Sequence, residues 1–201
     1  GHDFIDGAVA KGAAAYLTAK SDTEVPSGDA SAVVVADTSE ALTGIGAVAR
    51  GRLTGSVIGI TGSVGKTSVK DMTLAAARGG GTAWASAASF NNEIGVPLTL
   101  ANAPEATDIA IVEMVARGIG HIAELCALVR PTIGLVTCVA LAHSELFGSI
   151  EGVAKGKGEL VEALPADGTV VLNADDENVL AMRSRTAANV VTFGTSLAAD
   201  V

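Results

Sequence analysis

The chain has 201 residues, 49% hydrophobic and 17% charged, enough to bury a core, and disorder is excluded as its main state. Its 13 basic and 22 acidic residues leave a net charge of −9, which excludes a generic nucleic-acid surface; an anionic ligand must be held locally, by backbone N–H groups and a few cations. Cys126 and Cys138 are too few for a disulfide scaffold and fit a reducing, cytoplasmic setting, and no run of about 18 apolar residues offers a membrane span.

The chain opens Gly-His-Asp-Phe, without initiator Met or signal region, and stops at Asp200-Val201, which reads as a fragment excised from something longer. Along it, short β-branched runs alternate with Ala-rich helical patterns. Helices are predicted over residues 4–19, 39–52, 66–77, 119–129, 150–164 and 177–186. Strands are predicted over 32–36, 57–61, 82–86, 108–113, 132–137, 169–172 and 189–192. These strand runs are apolar throughout, as in strands buried on both faces. Ser149 and Asp176 stand where N-caps belong, and Pro131 and Pro165 just past helix ends. The rhythm predicts an α/β fold: a P-loop-type, mostly parallel sheet with helices on both faces. A boundary near residues 53–56 makes 1–52 a partial N-terminal α/β domain and 53–201 a central nucleotide-binding domain.

The most informative stretch is VIGITGSVGKT, residues 57–67, a strand running through a glycine-rich loop into a helix. Glycines let successive N–H groups turn toward one anion, and the helix N-terminus adds partial positive charge. The strict G-x-x-x-x-G-K-[ST] pattern fails because position 60 is Ile. What stands is Thr61, Gly62, Ser63, Val64, Gly65, Lys66 and Thr67. In that reading Lys66 reaches the terminal phosphates and the Thr67 hydroxyl ligates Mg²⁺. The plain alternative is a Gly-rich turn with a solvated lysine.

Together with several segments elsewhere in the chain, this loop resembles that of the Mur ligase family, and the likeness covers nearly the whole chain. Residues 1–5 (GHDFI) resemble the family's G-H-x-F-I, and 61–67 its T-G-S-x-G-K-T, continued by Lys70 and Met72. Residues 89–98 (SFNNEIGVPL) resemble S-F-N-N-x-x-G-x-P, the most specific signature, found in the branch that adds D-alanyl-D-alanine. Glu113-Met-Val-Ala116 resembles E-M-G-A; Ala142-His143 with Phe147-Gly-Ser149 resembles A-H-x-x-x-F-G-S. Residues 154–159 (AKGKGE) and 172–176 (LNADD) match A-K-x-K-G-E and L-N-A-D-D.

The resemblance implies an ATP-dependent amide ligase of peptidoglycan precursor synthesis, cytoplasmic and monomeric. It would join D-alanyl-D-alanine to UDP-N-acetylmuramoyl-tripeptide through an acyl phosphate, with ATP and Mg²⁺ as cofactors. Residues 1–52 would belong to a UDP-sugar-peptide-binding domain and 53–201 to the ATP-binding domain, and the chain alone is expected to be inactive. Lys66 would neutralise phosphate charge; Thr67, Glu113, His143 and Lys157 would form the metal and catalytic set, Lys157 as a carbamate. Asn91 and Asn92 would contact substrate or nucleotide, and Asn173 the adenine. From the residues alone, His143 reads as a loop histidine, Lys157 as a solvated helix lysine with Lys155 on a different side, and Asn91 and Asn92 as turn or cap residues. Three departures from the family pattern stand out: Val115 stands for Gly, Cys138 for Asn, and the run Ser144-Glu145-Leu146 for a Leu-Gly-Glu-like run. Val115 and Cys138 motivate one competing reading, a nucleotide-binding module without catalysis; a second, a related ligase with another substrate, stays open because substrate choice would lie largely outside these residues.

Overall fold

The computed structural model describes residues 2–20, 30–141, 147–197 and 199–201. The chain divides into two units, Gly1–Ile45 and Gly46–Val201.

In the first unit a 3-10 turn (His2–Phe4) leads into α1 (Ile5–Ala10), followed by β1 (Ala15–Thr18) and β2 (Ser31–Val34). The two strands pair in parallel, Ala15 opposite Ser31. The helix expected over residues 4–19 therefore ends early. Lys11 and Gly12 donate back to Ala8 O and Val9 O, and Gly12 adopts φ +92°, which closes the helix. Tyr16, Leu17 and Thr18 then find a strand partner that local helix propensity could not announce.

Helix α2 (Thr38–Arg52) leads into the second unit, where β3 (Ser56–Thr61), β4 (Ala83–Ala85), β5 (Ile109–Glu113), β6 (Ile133–Val136), β7 (Thr169–Asn173) and β8 (Asn189–Phe193) form one sheet. Its order is β4-β5-β3-β6-β7-β8, with every pairing parallel. Between the strands lie α3 (Lys66–Ala77), α4 (Gly95–Ala101), α5 (His121–Val129), α6 (Ile150–Glu162) and α7 (Glu177–Leu180), the last continuing as a 3-10 helix (Ala181–Arg185). The Ser149 hydroxyl accepts from Gly152 N, and the Asp176 carboxylate from Asn178 N and Val179 N, so both expected caps are present.

The strand runs alternate faces. Val57, Ala110, Val112, Val136, Val170 and Leu172 pack on one side with α4, α5, α6 and α7, while Ile58, Ile60, Ile109 and Ile111 pack on the other with Val69, Leu74 and Ala77 of α3. On that second side α3 packs on β3, β4 and β5. Alternate residues of β6 and β7 (Ile133, Leu135, Val171) are accordingly half-buried, so full burial on both faces holds for the middle of the sheet and not for its far half. Helix α4 was not expected from the sequence. Gly, Pro and Thr within it lower its intrinsic helicity, but five of its seven residues are buried, and packing forms it.

Candidate phosphate-binding site

After β3 the chain goes out to β4, returns through β5 beside β3, then crosses to β6 on the other side. The direction of winding thus reverses at β3. In open α/β sheets a crevice opens at such a point, outside the carboxyl ends of the strands. The loops after β3, β5 and β6 all arrive there, with Ile60 in register with Glu113 and Thr61 with Val136.

The loop after β3 is fixed by what its carbonyls and side chains do. Thr61 is fully buried, its hydroxyl donating to Met114 O at 2.9 Å. Gly62 has φ +148°, and a Cβ there would overlap Thr137 Oγ1, so no side chain fits. Ser63 N donates to Cys138 O at 2.8 Å, and Ser63 Oγ donates to Ala140 O at 3.0 Å. Thr137 Oγ1 donates to Val64 O at 2.6 Å. Gly65, at φ +83°, turns the chain into α3. Lys66 Nζ donates to Gly62 O at 2.9 Å and to Ser63 O at 3.3 Å. Three consecutive carbonyls, of Gly62, Ser63 and Val64, are thereby held by donors. The first N–H groups of α3 have no acceptor further back in their own helix, which suits an anion.

Around this loop lies a cleft of about 440 Å³ lined by Ser63, Lys66, Thr67, Ser89, Asn91, Glu113 and Val115 among others. Glu113 ends β5 and is only 2% exposed. Thr67 Oγ1 donates to its Oε2 at 2.9 Å and Asn91 Nδ2 to its Oε1 at 2.7 Å. Ser89 Oγ lies 3.1 Å from Thr67 Oγ1. A buried carboxylate beside two hydroxyls and an amide is a hard oxygen-rich donor set, which fits Mg²⁺ better than a softer metal.

Lys157, on α6, is 5% exposed, while Lys155 lies exposed. Burial pulls the Lys157 ammonium down to about 8; the Lys66 charge pushes the same way and Cys138 opposes it. The Lys66 and Cys138 charges both act on Lys157, so it lies within electrostatic range of the residues that flank the phosphate loop. Asn92 lies beside the cleft as a turn residue, its Oδ1 accepting from Ile94 N and from Gly95 N at the start of α4. Asn173, at the end of β7, donates to Thr137 O and accepts from Asp175 N, so both ends of its amide are engaged. His143, with Ala142 and Ser144-Glu145-Leu146, lies outside the described residues.

Val115 holds ordinary backbone, since Arg130 alone among the described non-glycine residues has a positive φ. Its N–H donates to Asn91 O at 2.8 Å. Two contributors carried no chemical signal of their own in the sequence. Thr137 closes a strand run, and Ser89 precedes the conspicuous asparagines; each acts through a partner some 70 or 20 residues away. A larger hollow of about 570 Å³ lies between α5 and α6 near Pro131 and Pro165. Its two carboxylates are already engaged, Glu159 with α5 and Glu162 with Arg185.

The model of one protein family, described as "Mur ligase middle domain", matches residues 60–201. A curated relative, the UDP-N-acetylmuramoyl-tripeptide–D-alanyl-D-alanine ligase of Escherichia coli, is 41% identical over 184 residues, which cover 91% of this chain and 40% of that one. The chain spans about two fifths of the length of such relatives. Among solved structures, MurF from Acinetobacter baumannii superposes with a TM-score of 0.82 at 26% identity, covering 96% of this chain and 42% of that one. MurF ligase from Thermotoga maritima in complex with ADP gives 0.80 at 29% identity, covering 97% and 44%.

Proposed function

The chain belongs to the Mur ligase family, through its middle domain, and from that premise we propose that it binds ATP in the cleft at β3 and serves the joining of D-alanyl-D-alanine to UDP-N-acetylmuramoyl-tripeptide. The relatives' names supply the substrates, and the observation that carries the nucleotide reading is the junction of Thr67 with Glu113 at the winding reversal. In this reading residues 1–52 are part of a domain for the UDP-sugar peptide and 53–201 the ATP domain, working as a monomer in the cytoplasm. Among the described residues no helix is long and apolar enough to cross a membrane.

The reaction is two displacements. The substrate carboxylate attacks the γ-phosphorus of ATP, releasing ADP and leaving an acyl phosphate. The amine then attacks the acyl carbon and expels phosphate, forming the amide. Phosphoryl transfer of this kind is governed by positioning and charge neutralisation. The loop N–H groups and Lys66 orient the phosphates. Thr67 and Glu113 would hold Mg²⁺, and His143 and a carbamate on Lys157 would complete the set. When bound, that ion neutralises charge on the transferring group. Lys157 suits carbamate formation because its depressed pKa leaves more neutral amine to add to CO₂. Asn91 orients Glu113, and Asn92 and Asn173 hold the neighbouring loops within reach of substrate and adenine.

The test is a chimera in which this chain replaces the matching segment of a curated relative. Given both substrates and Mg²⁺-ATP, it should yield the pentapeptide product by mass spectrometry, and the Lys66→Ala chimera should not. Equal product from both, or ATP binding by neither chain, refutes the reading.

A further inference from the structure

Lys70 is the bulkiest fully buried side chain among the described residues. It sits on α3 one turn beyond Lys66 and Thr67. Its Nζ donates to Ser86 O at 2.7 Å and lies 3.1 Å from Asp71 Oδ1, whose side chain is 63% exposed. Ser86 follows β4 and opens the loop that ends at α4. That loop is folded on itself, Ser86 Oγ donating to Ala88 O at 2.7 Å and Phe90 N to the same carbonyl at 2.9 Å. Further on it meets the cleft: Ser89 Oγ at Thr67 Oγ1, Asn91 Nδ2 at Glu113, and Asn91 O accepting from Val115 N.

Two anchors on one helix therefore grip one loop. Lys70 holds its start, and Thr67, three residues earlier on α3, meets its middle. An ammonium at a site without solvent pays a desolvation cost that a methionine of similar length avoids. What the ammonium adds is a donor for Ser86 O, the carbonyl of a residue only 6% exposed.

We propose that Lys70 is a positioning residue that sets the Ser86–Asn91 loop against the phosphate loop, and so governs how the terminal phosphates and their divalent cation are held. The proposal rests on the nucleotide reading above. It assigns Lys70 no contact with the nucleotide; it acts through Ser86, Ser89 and Asn91. A packing role alone would weaken every ligand alike through lost stability. The positioning role is selective, because Ser89, Thr67 and Glu113 matter most where a cation and a γ-phosphate are bound.

Calorimetric titration of ADP without Mg²⁺, ATP without Mg²⁺ and Mg²⁺-ATP into the wild type, Lys70→Met, Lys70→Arg, Ser89→Ala and the Lys70→Met/Ser89→Ala pair tests this. In Lys70→Met the tightening of ATP by Mg²⁺ should fall at least fivefold while Mg²⁺-free ADP stays within twofold. Lys70→Arg should recover most of the tightening, and adding Ser89→Ala to Lys70→Met should cost little more. Hydrogen exchange over residues 86–91 gives a second reading that needs no ligand: exchange should rise there while β3 and β5 keep their protection. A wild type that binds no nucleotide overturns both this proposal and the reading beneath it. A wild type that binds, with Lys70→Met either unchanged or uniformly weakened and exchanging throughout, overturns this proposal alone. So does a Lys70→Met chain that does not fold, for then the residue is structural.

Discussion

The Thr67 hydroxyl donates to Glu113 Oε2 across 2.9 Å, tying the first turn of α3 to the end of β5, 46 residues later in the chain. The carboxylate is almost wholly buried, and its second oxygen is held by Asn91. It is thus ordered from two elements before any ligand arrives.

Glu113→Gln keeps the shape and removes the charge. The Mg²⁺-dependent part of ATP affinity should fall by about 1.5–3 kcal/mol, the range for hydrogen bonds to charged groups. Thr67→Ala should do the same and Thr67→Ser should not. Titrations with and without Mg²⁺ check this, and an unaltered Mg²⁺ increment in Glu113→Gln counts against the metal role.

Lys66→Ala removes a cation from the loop and should weaken ATP binding about tenfold to a hundredfold, with ADP affected less. It should also let the Lys157 pKa rise, because the Lys66 charge is one of the two causes that lower it. NMR titration of the Lys157 side chain reads that second effect independently of nucleotide.

Lys157 also gives a pH dependence of stability. Its native value of about 8 lies below the ordinary 10.5. Below pH 8 both folded and unfolded forms carry the proton, and the cost of the buried charge is fully present. Between about 8 and 10.5 the unfolded chain binds more protons, so this residue makes stability rise with pH, by about 3 kcal/mol over the window. Lys157→Met should be more stable than wild type at pH 7, with the gap shrinking toward pH 10 in urea unfolding. A gap that widens contradicts the assignment.

Arg185 donates to Ala154 O and Lys155 O on α6 and pairs with Glu162 at 2.9 Å. A Cβ on Gly158 would overlap its guanidinium. Gly158→Ala should therefore destabilise the wild type by displacing Arg185. In an Arg185→Met background the same change should stabilise by about 0.5–1 kcal/mol, the ordinary gain of alanine over glycine in a helix. Additive effects in a double-mutant cycle refute the coupling.

The parts legible in the sequence were those whose cause is local. Residues 57–67 carry strand, loop and helix start in one run, and Ser149 and Asp176 announced their caps. The turn at Gly12 and the packing-made helix α4 were not legible, because a distant strand and a buried face decide them. In the site, Lys66, Thr67 and Glu113 were readable as chemical types. The buried donors that hold it, Lys70 on Ser86 O and Thr137 on Val64 O, were not, since nothing near either residue names its acceptor.

Helix α5 is gripped at both ends by charges from elsewhere. At its start the Glu159 carboxylate of α6 accepts from Gly120 N and Ala123 N; at its end the Arg50 guanidinium takes Val129 O and Arg130 O. Each charge opposes the helix dipole with the stabilising sign. Glu159 lies two residues from Lys157, and Arg185 holds the backbone of the preceding turn. Helix α6 behaves as a keyed shaft. It cannot roll without stripping the start of α5 and dislodging Arg185, so the direction in which Lys157 leaves the helix is set by the contacts of its neighbours.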